Sequence, residues 1–168
     1  MRTSFLSATT IGVLALGIAS AQSKHSDVGT WKVDISQSTF GSEPAPKSIT
    51  VVILKDTPQM LSWRVHGIDD KGKPFAYSWS GPEDGTMHPV MQNGKEIAKQ
   101  SAKREDDGTL LRHGEEPDGS AFDARDKTSD DGNAITEEIT EKSKDGKEST
   151  NKTVYHRAAG AKKAAEKS

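Results

Sequence analysis

Residues 61–80 read Leu61-Ser62-Trp63-Arg64-Val65-His66-Gly67-Ile68-Asp69-Asp70-Lys71-Gly72-Lys73-Pro74-Phe75-Ala76-Tyr77-Ser78-Trp79-Ser80. Leu61, Trp63 and Val65 alternate with Ser62, Arg64 and His66, and Phe75, Tyr77 and Trp79 alternate with Ala76, Ser78 and Ser80. A period of two places each apolar set on one face of a strand. Between the two runs, Asp70-Lys71-Gly72 supplies a tight turn, because glycine adopts the positive φ that such turns need. The stretch predicts a β-hairpin with one apolar face, and its six large side chains should form much of the core.

The same punctuation recurs along the chain. After Gly72 come Glu83-Asp84-Gly85, Gln92-Asn93-Gly94, Asp106-Asp107-Gly108, Pro117-Asp118-Gly119, Asp130-Asp131-Gly132 and Lys144-Asp145-Gly146, at intervals of 13, 9, 14, 11, 13 and 14 residues. These gaps hold one strand each, so the expected fold is all-β, an antiparallel up-and-down meander. None of the units continues into the alternating ligands and terminal Glu of a calcium loop. Upstream, Val28 to Ile35 predicts a first strand. Ile49-Thr50-Val51-Val52-Ile53-Leu54 is apolar on both faces, as expected for a strand covered on both sides or lying near a closure.

Apolar residues are unevenly placed along the 168-residue chain, which is 32% apolar and 29% charged. Residues 1–21 contain 12 of the apolar side chains. Arg2, the run Ile11 to Ile18 and Ala19-Ser20-Ala21 have the layout of a signal peptide cleaved before Gln22. The apolar run is too short for a membrane anchor, and no second one exists, so the expected product has no membrane span and is periplasmic or extracellular. The absence of cysteine excludes a disulfide framework and a lipid-modified N-terminal cysteine. Without the leader, 22 Lys+Arg face 25 Asp+Glu with the signs interleaved, which argues against a nucleic-acid partner. The domain expected after cleavage is 22–157, followed by an Ala/Lys-rich tail over 158–168.

The second half is lean, with only 11 apolar residues between Gln92 and Thr150. Its strands must have a polar inner face or pack on one side only. In Ala134-Ile135-Thr136-Glu137-Glu138-Ile139-Thr140-Glu141, helix and strand both bring Ile135 and Ile139 to one face. The threonines and flanking Asp-Gly turns favour a strand, which puts Glu137 on the Ile135 face, either inside or in water at an open end.

Gly29-Thr30-Trp31 opens the first strand within GTWKVDISQSTF, and PAPKSITV and a closing TVYHR follow further on. The G-x-W resembles the first lipocalin motif, and the wider set (Gly29, Trp31, Ser38, Phe40, Pro46, Lys47, Ser48, Tyr155) is similar to a lipocalin-like family of small secreted bacterial β-barrel proteins. The resemblance implies a calycin-type barrel of 8–10 strands in which Trp31 caps the closed end. It also implies a basic residue of the last strand over the Trp31 ring, Arg157 by first choice and Lys152 by second. It carries no specific ligand.

No motif for catalysis, metal or cofactor emerges. His25, His66, His88, His113 and His156 lack metal-ligand spacing, and no phosphate loop or nucleophile elbow is present. An enzyme remains an open third reading, since barrels of this type host chemistry in other lineages. Trp63, Tyr77, Trp79 and Phe122 form the candidate ligand wall: aromatic residues facing a polar second half leave room for a small amphipathic ligand. The alternative is a structural or interaction protein of the bacterial envelope whose aromatic residues fill the core. An internal void above about 300 Å³ discriminates between them.

Overall fold

In the computed structural model, residues 26–41 and 43–159 are described. The expected leader and most of the expected tail lie outside them. Ten strands follow in chain order: β1 (Gly29–Val33), β2 (Ser48–Thr57), β3 (Met60–Ile68), β4 (Pro74–Gly81), β5 (His88–Gln92), β6 (Lys95–Arg104), β7 (Leu110–Glu115), β8 (Ala121–Thr128), β9 (Ala134–Lys142) and β10 (Glu148–Arg157). Each pairs antiparallel with its chain neighbours, and β1 pairs with β10, closing an up-and-down barrel. The segment 134–141 is strand. No α-helix occurs among the described residues, and none of their helices is long and apolar enough to cross a membrane.

The glycine turns make the meander. All seven turn glycines have positive φ, from 67° at Gly132 to 89° at Gly119. Asn93-Gly94 is a two-residue turn with both residues at positive φ, 50° and 76°, bracketed by the Gln92–Lys95 pair. At Gly72, Gly108, Gly119 and Gly146 the loop has three residues, and only the glycine is left-handed. There the glycine N–H donates three residues back, while the N–H of the residue that accepts it donates four residues ahead (Gly108 to Glu105 and Glu105 to Thr109, for instance). The preceding aspartates hold the loops from the side. Asp107, Asp118 and Asp131 accept the N–H of Thr109, Ser120 and Asn133, and hydrogen bonds from Ser129 and Asn133 lower the Asp131 pKa to about 2.

Two connections depart from the expected pattern. β2 and β3 are joined through Pro58-Gln59 without a glycine, with Thr57 Oγ1 accepting the Met60 N–H. Residues 82–87 form a longer link that folds back on β6, where the Gly85 N–H donates to the Ala102 carbonyl. β1 ends at Val33, two residues before the expected Ile35, because Asp34 caps a short 3-10 turn over Ile35–Gln37 by accepting from Ser36 and Gln37.

One end of the barrel is sealed. Trp31 is fully buried; its Nε1 donates to the Asp27 carbonyl at 2.8 Å, and Arg157 Cζ lies 4.1 Å from the ring centroid. Arg157 donates in addition to the carbonyls of Ser26, Val28 and Gly132, tying the segment before β1 to β10 and the β8–β9 turn. Lys152, the second choice for this role, is exposed. Gly29, at φ 147°, lets the chain enter β1 tightly above this seal. Beside it Arg104 gathers Asp56 at 2.7 Å, Glu83 at 2.8 Å and Asp27 at 3.8 Å.

The core lies against this closed end. Leu61, Trp63, Val65 and Trp79 are buried together with Val90, Ala102 and Leu110, while Phe75 and Tyr77 pack against them half-buried. On β2, Ile49, Val51 and Ile53 pack inward, and a bulge after Ile53 leaves Leu54 exposed. The doubly apolar stretch is therefore covered on its inner face and lies beside the closing strand β1. Two strand glycines face aromatic partners: Gly67 pairs with Phe75 and Gly114 with Phe122. A Cβ on Gly114 would come within 2.1 Å of Phe122, so the glycine is what lets that ring lie flat on β7.

Candidate functional site: the barrel interior

Side chains do not fill the barrel. A cavity of about 420 Å³ runs from the sealed end toward the mouth, where the turns 69–73, 93–94, 116–120 and 143–147 lie. One side is apolar, built by Ile49, Val51 and Ile53 of β2, Trp63 and Val65 of β3 and Tyr77 of β4. Trp63 meets Tyr77 edge-on with centroids 5.9 Å apart. The opposite side is charged, and this is where the lean second half has its polar inner face.

The charged side is a four-strand network. Arg112 on β7 donates from Nε to Asp126 Oδ2 at 2.7 Å and from Nη2 to Asp126 Oδ1 at 3.2 Å and Glu137 Oε1 at 2.7 Å. Tyr155 on β10 donates its hydroxyl to Glu137 Oε2. Glu137 is buried, so the inner of its two expected placements is the one found. Burial raises the Asp126 pKa to about 6; Arg112 opposes that rise and the Glu137 charge adds to it. Although burial alone would weaken the Arg112 charge, the two carboxylates hold its pKa well above the ordinary value. Tyr155 is raised well above the usual phenol range, first by burial and then by the Glu137 charge. Across the barrel, Tyr77 is raised to about 12 by burial and by Glu137. Among the described residues its hydroxyl has no hydrogen-bond partner.

Toward the mouth the wall continues with Phe122, Glu116 and Glu141. Arg112 Cζ is 5.9 Å from the Phe122 centroid. Glu141 accepts from Asn151 Nδ2 at 3.1 Å but is paired with no cation among the described residues. On the apolar side, Gln100 is 2% exposed and its Nε2 has no partner.

Of the four candidate wall residues, Trp63, Tyr77 and Phe122 line the cavity. Trp79 does not. It stands directly across from Trp63 on the neighbouring strand, stacked on it at 6.2 Å, with its Nε1 shared between the carbonyls of Gln100 and His88. It forms the packed floor. Gly29, Trp31 and Arg157 come together as the sealed end. His25 lies outside the described residues, and the described histidines stay outside the network: His66 and His156 are exposed, and His113 faces outward between Asp123 and Glu115. Among the described residues no cluster of His, Asp or Glu could hold a metal ion.

Arg112, Asp126 and Gln100 were not singled out from the sequence, and Tyr155 only as a point of the family resemblance, although part of the signal is there. Phe122, Ala124 and Asp126 alternate, as do Ile135, Glu137 and Ile139, and the apolar members mark the inner face. No family model matches the chain, and no curated protein matches it.

Proposed function

We propose that this is an exported lipocalin-like binding protein that holds one small amphipathic or hydrophobic molecule inside its barrel. The observation that carries the reading is the 420 Å³ cavity with an apolar, aromatic wall on one side and a charged, hydrogen-bonded wall on the other. That volume falls within the range of about 300–1,000 Å³ common to small-molecule sites and exceeds the void a filled structural core would leave. The charged wall can orient a polar group, while the apolar wall takes the body of the ligand. Export rests on the signal-like leader of residues 1–21 and on the G-x-W family resemblance.

Trp63 is the built-in reporter, since its ring lies in the cavity wall. Titration with a panel of alkyl amphiphiles, quinones and hydrophobic dyes is expected to quench or shift its emission with saturation at one equivalent. No response across the panel would favour the structural envelope protein instead. Mass spectrometry of the protein recovered from a bacterial periplasm is expected to show Gln22 as the first residue.

A further inference from the structure

The charge of the cavity wall is unbalanced. Asp126, Glu137, Glu141 and Glu116 all contribute to it, and Arg112 is the single cation among its described residues. That guanidinium is already committed, with Nε and Nη2 on Asp126 and Nη2 also on Glu137. Its Nη1 makes no hydrogen bond among the described residues, but its single positive charge is already outweighed by the two carboxylates it holds. Each Glu137 oxygen already accepts one hydrogen bond, from Arg112 or Tyr155, whereas Glu141 has one neutral amide and a longer serine contact and no counter-ion among the described residues. An incoming carboxylate or phosphate would meet an excess of like charge, whereas a positive group would meet the opposite.

The second observation comes from a different strand. Gln100, on β6 between the inner-facing Ala98 and Ala102, is almost completely buried, lines the cavity and has an unpartnered amide donor. Buried donors in a folded interior are normally satisfied, and one left open in a cavity wall marks where a ligand atom completes the bonding. It asks for an acceptor on the ligand body, in the apolar part of the cavity. Phe122, Trp63 and Tyr77 in the same wall add ring faces of the kind that attract ammonium groups.

We infer that the barrel selects an amphipathic cation: an apolar body bearing an amine or related positive head that sits toward Glu141 and Glu137, with a hydrogen-bond acceptor along the body for Gln100. This rests on the reading of the barrel as a ligand carrier and names the class of its ligand. A fatty acid is the wrong charge for this wall.

The test uses three probes with one decyl chain, namely decylammonium, decanol and decanoate. Each is titrated by calorimetry into the full mature protein at pH 7.5, low salt and concentrations below micelle formation. The expected order is decylammonium tightest and decanoate weakest. Glu141→Gln, which keeps shape and the Asn151 contact, is expected to weaken decylammonium about tenfold and leave decanol unchanged, the loss of one charge-assisted contact. Equal binding of all three, or tighter binding of decanoate, overturns the cation assignment while leaving the carrier reading standing. Absence of binding by every probe overturns both. Circular dichroism of the Glu141→Gln protein separates a lost contact from a lost fold.

Discussion

Arg157, the last residue of β10, lies with its guanidinium carbon 4.1 Å from the centroid of Trp31 near the start of β1. Its nitrogens also bond the carbonyls of Ser26, Val28 and Gly132. One side chain thus joins the two ends of the meander and seals the barrel beneath the cavity. Arg157→Lys keeps the charge but loses the flat stacking and the three-way fork. Destabilisation by about 1–2 kcal/mol is expected from the lost cation–π contact and hydrogen bonds, measured as a lower urea midpoint at unchanged slope.

Arg112 holds the half-buried Asp126 and the buried Glu137, which have no other cation among the described residues. Arg112→Leu should cost about 3–5 kcal/mol at pH 7.5, because the half-buried Asp126 and the buried Glu137 lose their cation and Glu137 keeps only the Tyr155 hydroxyl. Part of that loss should return at pH 5, where Asp126, whose pKa burial has raised to about 6, takes up a proton instead. Glu137→Gln should cost less, since the amide oxygen still accepts from Arg112. Denaturant melts of both variants at the two pH values check the ordering; an Arg112→Leu protein as stable as the parent at pH 7.5 would falsify the network's role.

The raised Asp126 pKa sets a direction for stability against pH. Its folded value, about 6, lies above the unfolded 3.8. The folded state therefore holds the proton more tightly, and this contribution is complete below pH 3.8 and lost as pH rises through about 6. Asp126→Asn cannot ionise and lacks that dependence. The stability of the variant minus that of the parent is expected to increase between pH 4 and pH 7, read from urea melts at half-unit intervals. A flat difference would exclude the assignment.

Gly114 faces the Phe122 ring so closely that a Cβ would stand 2.1 Å from it. Gly114→Ala must push the ring toward the cavity or bend β7, and overpacking of this kind costs about 1–3 kcal/mol. Combining it with Phe122→Leu is expected to recover part of the loss. Simple additivity of the two changes would show that the glycine does not serve the ring.

Much of this molecule is legible in the chain because its signals are local. A glycine at positive φ needs only its own turn, and alternation needs only its own strand, so the Leu61–Val65 and Phe75–Trp79 faces could be read without knowing what they touch. Trp79 was harder to place for a related reason. Alternation shows that it shares a face with Tyr77, but not that it lies one step nearer the sealed end and packs as floor rather than wall. Arg112 was harder still, since Leu110 and Leu111 on either parity of β7 give little contrast from which to choose its face.

The sequence by itself determined the all-β class, the position of seven turns and the order of the meander, while the basic residue over Trp31 was only implied by the family resemblance. Only the tertiary structure decided that β1 closes on β10, that the enclosed space is a cavity of about 420 Å³, and that Arg112, Asp126, Glu137 and Tyr155 meet inside it. Strand alternation specifies a face up to one choice of sign for each strand. Which residues of different strands stand at the same height depends on register around the closed barrel, a property of all ten strands together and of none alone.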